Sequence, residues 1–269
     1  GSGSGSGIDS LDPTGVNASS VEEAEARKKI LVCIPYFKAG AQGNELELAV
    51  AGWKRHFKED FVLVIVGDNE PFMEGDDQII HLPHTCVANG NPPLDIIQKM
   101  LLVINRFPEY QGMVWANDDM YAINNFDLTD VKLLKCIGVL AGDANSSNHF
   151  QRNMAKTAKA LKDAGKSLWN FATHLPVYYE FEKLLELIET HNLEKESHLV
   201  GSLYFNTFYP DRIPLKLDIA FDNFKCGIYR PNPNMDIVRA AFKNKIWINN
   251  SQSGFVPDVM SLISKHYAR

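Results

Sequence analysis

The sequence has no Cys-x-x-Cys pair; its four cysteines, Cys33, Cys86, Cys136 and Cys226, are widely spread. That spacing excludes a disulfide scaffold and the thiolate zinc frameworks, and it reads as free thiols in a reducing compartment. Cys33 and Cys136 lie in apolar runs, where a small buried thiol is the ordinary role. No apolar run approaches the roughly 18–20 residues needed to cross a bilayer. The N-terminus has no basic stretch followed by an apolar segment, so neither a membrane span nor a secretory signal is expected, and a cytoplasmic location is. Positive charge is not in excess: 27 Lys and Arg stand against 33 Asp and Glu, a net charge of −6. General attraction to phosphate backbones is therefore not expected, although a local basic face can still provide it. The phosphate loop G-x-x-x-x-G-K-[ST], the dinucleotide fingerprint G-x-G-x-x-G and the elbow G-x-S-x-G are all missing. P-loop, Rossmann dehydrogenase and α/β-hydrolase readings lose their main support. His81 and His84 are three apart, but Pro83 prevents a helical presentation and no further ligand set follows, which argues against zinc.

What is present is an ordinary globular composition, 45% hydrophobic and 22% charged over 269 residues, enough for one large core. Residues 1–7 are a Gly-Ser repeat with the character of a linker, and 8–29 carry no core pattern, so 1–29 is set aside as linker and N-terminal extension. From Ile30 a β-α-β rhythm begins. Ile30 to Ile34 is apolar on both faces and closed by Pro35, as in a central strand covered by helices. Leu46, Val50, Trp53 and Phe57 predict a helix over 45–57, with Asn44 and Glu47 placed for a capping box. Phe61 to Val66 reads as a second buried strand ending at Gly67-Asp68, and Ile79-Ile80 as part of a third. Leu94, Ile97, Leu101 and Ile104 form a helical stripe over 93–107, with Lys99 off it. Met113 to Ala116 is then a short strand running into Asn117-Asp118-Asp119. This alternation predicts an α/β fold, a mixed and mostly parallel sheet flanked by helices. Beyond residue 125 the rhythm loosens. An amphipathic helix is expected over 148–164, with Arg152, Lys156, Lys159 and Lys162 on a face that is either solvated or suited to an anionic acceptor. Trp169 to Pro176 reads as extended, 200–250 shows no clear order, and a last helix begins at Pro257.

The acidic pair Asp118-Asp119 is the most informative chemistry. Its predicted place is a strand's C-terminal end, where ligands bind in open α/β sheets. Adjacent carboxylates repel and need compensation, which a divalent cation supplies; hard oxygen ligands at such a turn suit Mg2+ or Mn2+ completed by diphosphate oxygens and water. A turn or helix cap is the structural alternative. His174, in a stretch of apolar and aromatic residues, can act as metal ligand, acceptor-orienting group or general base. Trp169 and Tyr178 flank it and suit either sugar stacking or core packing.

Ile34-Pro35-Tyr36, Val66-Gly67-Asp68 and Trp115-Ala116-Asn117-Asp118-Asp119 together resemble nucleotide-sugar glycosyltransferases of the GT-A type, in which the last acidic motif is the DXD element. Asn117 stands here where that pattern has Asp. The likeness extends to bacterial and phage proteins that continue with a His-x-Pro segment, here Asn170 to Pro176, and then Ser202 to Asn206. The same order of Asn-Asp-Asp and His-x-Pro also resembles the stealth family of sugar-phosphate transferases. Over roughly residues 30–210 the resemblance implies a GT-A-like, Rossmann-like single domain across 30–269, with a nucleotide-binding half at 30–125 and an acceptor half, irregular toward the C-terminus, at 126–269. It implies transfer of a sugar from a nucleotide-sugar donor to a glycan or other acceptor, assisted by Mn2+ or Mg2+. In that reading Pro35, Tyr36, Asp68, Lys99, Asn117 and Asp118 bind the donor, Tyr36 by stacking on the base and Lys99 by reaching a phosphate. Asp119 holds the metal, Asp118 and His174 are catalytic, and Trp169 and Asn170 meet the acceptor. Should the reaction invert, Asp143, Asp218, Asp222 and His174 are candidate bases. The alternatives are sugar-phosphate transfer, a glycan- or nucleotide-binding module that has lost activity, and a phage enzyme whose acceptor is modified DNA, the only role in which nucleic acid enters.

Overall fold

The computed structural model describes residues 29–86 and 92–269; the linker and extension up to residue 28 lie outside that span. In chain order the elements of the first half are β1 (Ile30–Tyr36), α1 (Glu45–His56), β2 (Phe61–Gly67), β3 (Ile79–Pro83), α2 (Pro92–Arg106), β4 (Gly112–Trp115) and β5 (Met120–Ala122). The second half adds α3 (Leu128–Lys132), β6 (Lys135–Cys136), α4 (His149–Asp163), β7 (Val177–Glu180), α5 (Phe181–Thr190), α6 (Val200–Phe208) and β8 (Leu215–Lys216). It ends with β9 (Lys225–Ile228), α7 (Met235–Asn244), β10 (Trp247–Asn250) and α8 (Pro257–Tyr267).

The main sheet has five strands in the order β3-β2-β1-β4-β7. All its pairings are parallel except β4 with β7, which is antiparallel. Strands covered on both faces need apolar residues at both parities, and β1 and β2 have them. Leu31, Cys33, Val64 and Val66 face one core with Ile97, Met100 and Val103 of α2. Val32, Ile34, Leu63 and Ile65 face the other with Leu46, Val50 and Trp53 of α1. The expected mixed, mostly parallel sheet flanked by helices is therefore present.

The C-terminal part is more regular than its sequence pattern suggests. β9 and β10 join β5 in a three-stranded sheet, with β10 antiparallel to β5 and parallel to β9. This sheet packs on α7 and α8 through Ile228, Val238, Ile248, Val259 and Ile263. Strands of three or four residues are too short for period-two alternation to stand out, which is why 200–250 reads as unordered. The capping box expected at Asn44 is not formed. Asn44 has φ −97° and ψ 29° with no side-chain cap, and the Glu45 carboxylate instead accepts the Gln42 amide at 2.6 Å.

Because β1, β2 and β4 are parallel, their C-terminal ends, at Tyr36, Gly67 and Trp115, lie on one sheet edge. Gly67 holds that edge tightly. Its φ is +133°, and a Cβ there would sit 2.0 Å from the Tyr36 carbonyl oxygen, so only glycine lets the chain turn into Asp68 at this point.

Candidate active site

Asp118 and Asp119 occupy the turn between β4 and β5, at that edge. Burial, followed by repulsion from Asp119 and Glu45, pushes the Asp118 carboxyl up to about 7, with Lys99 pulling the other way. Lys99, although off the apolar stripe of its helix, is only 3% exposed, and its ammonium acts on Asp118 from α2. Glu45 is a third carboxylate in the group. Burial raises it most and Asp119 adds to this, while hydrogen bonds from Asn250 Nδ2 (3.1 Å) and the Gln42 amide (2.6 Å) oppose the rise. Three acidic groups thus share one buried corner whose nearby cation is a lysine. Among the described residues no group of three or more His, Cys, Asp or Glu is arranged to hold a metal by itself. The chemistry of the donor set fits an ion that takes one or two protein carboxylates and draws its remaining oxygens from a bound diphosphate and water.

His174 Nε2 lies 2.7 Å from Asp119 Oδ1. The carboxylate can only accept, so Nε2 carries the hydrogen, and in the neutral ring Nδ1 is a lone-pair acceptor with no polar partner among the described residues. The residue sits at φ +55°, a left-handed conformation that costs a non-glycine residue about 1–2 kcal/mol and persists only where the surroundings enforce it. They do. Asn249 Nδ2 donates to the His174 carbonyl at 2.8 Å, and Tyr229 Oη donates to Asn249 Oδ1 at 3.0 Å. Lys225 Nζ donates to the Thr173 carbonyl at 2.7 Å, and the Tyr229 ring stacks on the imidazole at a 25° interplanar angle. The second sheet therefore fixes His174 against the acidic turn.

Of the loops expected to take a nucleotide, the first is arranged differently from its sequence reading. Pro35 is buried inside β1. Tyr36 is only 3% exposed and its hydroxyl donates to Glu70 Oε1 at 2.6 Å, so its ring offers no free face for a base. Strand parity explains this, since Tyr36 shares the inward face of Val32 and Ile34. Phe37, one residue beyond the strand end, is 51% exposed and is the aromatic group that the edge presents. Asp68 accepts the Lys38 amide at 2.8 Å, which ties the two loops together.

A cavity of about 340 Å3 opens beside the acidic turn and is lined by Asn117, Trp115, Thr173, His174, His198 and the start of α6. Trp169 and Asn170 do not line it. Trp169 exchanges backbone hydrogen bonds with the Asn206 side chain, and Asn170 is buried with its Oδ1 accepting the Ala172 amide at 2.9 Å. Both hold the segment before His174 in place and do not face a ligand there. Tyr178 lines a separate cavity of about 350 Å3, where Lys132 lies 4.5 Å from its ring centroid. Asp143 and Asp218 cap their own turns, accepting the amides of Asn145 and Ala220, and Asp222 is buried accepting the Phe224 and Lys225 amides. Of the candidate bases, His174 alone is in contact with the acidic turn. His81 and His84 bond to the Gly67 carbonyl and to Gln98. On the solvated face of α4, Lys156 pairs with Glu196 and Lys159 with Asp163, while Arg152 donates to the Ser146 carbonyl.

The fold and the site together define an α/β protein with an acidic, cavity-flanked turn at the C-terminal edge of its parallel strands. Comparison with known proteins finds no family model that matches the chain and no curated protein that matches it.

Proposed function

We propose that this chain is a glycosyltransferase that moves a sugar from a nucleotide-sugar donor to an acceptor hydroxyl, with divalent-metal assistance and a GT-A-like use of the sheet edge. The observation that carries the reading is the pairing of Asp119 with His174 at 2.7 Å, beside Asp118 and a cavity, across 55 residues of sequence. In this reading Asp68, Phe37 and the backbone around Gly67 hold the nucleoside. Asp119 would hold Mn2+ or Mg2+ through the carboxylate oxygen that His174 leaves free. That ion would neutralise charge on the departing diphosphate, the largest electrostatic demand of the reaction. Lys99, buried behind Asp118, sets the charge of the corner. Without a metal, burial and the neighbouring carboxylates push the Asp118 carboxyl up to about 7, and a sugar hydroxyl can donate to it or accept from it. His174 Nδ1 provides a proton acceptor oriented by Asp119, and the acceptor hydroxyl is its natural donor.

The test is mass spectrometry of the full chain incubated with a mixed pool of nucleotide-sugars and Mn2+, following which donor is consumed. The mass of the released nucleotide also distinguishes sugar transfer, which leaves the diphosphate, from sugar-phosphate transfer, which leaves a monophosphate. Asp119→Asn should lower donor turnover about 10²–10³-fold and should abolish stabilisation by Mn2+ in a thermal melt while the apo melt changes little. An Asn variant that turns over donor as the wild type does removes the metal role, and a pool in which no donor is consumed or bound removes the proposed activity.

A further inference from the structure

The cavity beside His174 contains a second histidine that the proposed reaction does not use. His198 is 7% exposed and lines the cavity together with His174, Asn117 and the first turn of α6. Its tautomer follows from its neighbour. Thr157 Oγ1 gives its hydrogen to the Asn153 carbonyl at 2.8 Å, so toward other groups it can only accept. It accepts the Leu199 amide at 3.0 Å and stands 3.3 Å from His198 Nδ1. Nδ1 is therefore the protonated nitrogen, and Nε2 is a lone-pair acceptor with no hydrogen-bond partner among the described residues. Burial, with Lys156 adding to it, pushes this imidazole down to about 4, so the ring stays neutral across the physiological range. A neutral acceptor at a cavity wall, left to water, is one that a ligand hydroxyl can take over.

The other walls say what kind of ligand. None of the described lining residues is Lys, Arg, Asp or Glu. Trp115, Phe171 and Tyr179 supply aromatic surface, and Met100, Ile96 and Leu199 supply aliphatic surface. Helix α6 begins at Val200 and its N-cap, Leu199, makes no side-chain cap, so the amides of its first turn remain available as donors beside the two imidazole acceptors. No charged side chain among the described residues lines the cavity to pair with a charged ligand. A ring with apolar faces and several hydroxyl groups satisfies every feature, and the volume stands at the lower end of the range for small-molecule sites.

We propose that this cavity is the acceptor site and takes an uncharged glycoside, with one hydroxyl donating to His198 Nε2 while another reaches His174. This rests on the glycosyltransferase reading for the word acceptor, but its content, neutral glycoside binding through His198, is independent of any donor. His198 is a positioning residue, since it holds the ligand and does not touch the reacting atoms.

The experiment is calorimetric titration of the full chain, without donor or metal, using phenyl β-glycosides of glucose, galactose, mannose and N-acetylglucosamine as probes. At least one should bind saturably. His198→Phe, which keeps the ring but removes the acceptor, should weaken that probe about tenfold, the size of one hydrogen bond left unmade. His198→Gln, which restores an acceptor, should recover most of the loss. Nitrogen-15 NMR of the wild-type imidazoles gives a reading that needs no variant: His198 should be the Nδ1–H tautomer at pH 7, and its Nε2 signal should move on probe binding. No binding by any probe, equal binding by the Phe variant, or an Nε2–H tautomer each overturns the proposal. Donor consumption measured separately shows whether the glycosyltransferase reading has failed instead, because binding of a glycoside requires no donor.

Discussion

Asp118 shows how one side chain carries both the cost and the purpose of the acidic corner. Its carboxyl is lifted from an ordinary value near 3.8 to about 7 by burial and by the charges of Asp119 and Glu45. Between those two values the folded protein binds a proton that the unfolded chain does not, so stability falls as pH rises from about 4 through 7. Asp118→Asn removes the term. It is expected to stabilise the fold at pH 7.5 by on the order of 1–2 kcal/mol once partial solvent access is allowed for, seen as a higher thermal midpoint, with little change at pH 4.5. A variant whose stability gain is the same at both pH values would show that the carboxylate is not strained in the fold. The pattern of two carboxylates after a buried strand is readable from residues 113–119 alone. Glu45 is not readable, because a glutamate at the start of an amphipathic helix looks like a favourable charge near the helix N-terminus, and only the three-dimensional arrangement brings it to Asp119.

The same limit separates the long elements from the short ones. β1 and β2 are seven residues each and apolar at both parities, and α2 and α4 are fifteen residues with clear stripes, so local sequence specifies them. β5, β9 and β10 are three or four residues long; β5 acquires its pairing from β10, more than a hundred positions away, and β9 pairs with β10 across 22 positions. Asn249 and Asn250 fall in the stretch that shows no clear order in the sequence, yet they are fully buried in β10 and hold His174 and Glu45. The anchoring of α8 is a further case. His266 Nε2 meets His56 Nε2 of α1 at 2.9 Å with the rings stacked, and Arg55 donates to the Tyr267 and Arg269 carbonyls. One hydrogen must lie between the two nitrogens, so protonating both rings breaks the contact. Burial and neighbouring cations hold both histidines below 6.5. In the window below 6.5 the unfolded chain binds more protons than the folded one, so this contribution is present above that window and is lost as pH falls through it. Amide exchange in α8, corrected for intrinsic rates, should therefore be faster relative to the main sheet at pH 5 than at pH 7.5, and His266→Phe should shrink the difference. Equal protection of α8 at both pH values would exclude the histidine pair as its anchor.

These long-range anchors also decide how the two halves read from the sequence, 30–125 and 126–269, behave as material. β10, near the C-terminal end of the described fold, pairs with β5 of the first half, and Trp247 in β10 packs 5.3 Å from Trp53 in α1 within a core that also contains Phe126. The first half therefore keeps part of its hydrophobic face covered only while the second is folded, and the site between the acidic turn and His174 exists only in the joined state. Urea unfolding should accordingly be one cooperative transition, with tryptophan fluorescence and far-ultraviolet circular dichroism coincident. Trp247→Ala opens a large cavity at the junction and should cost about 3–5 kcal/mol, moving both signals together with an unchanged slope against denaturant. If fluorescence shifted to lower urea while the dichroism of the main sheet kept its wild-type midpoint, the halves would be separately stable units. The Asp119–His174 contact would then be a docking event between two domains, formed and broken without unfolding either one.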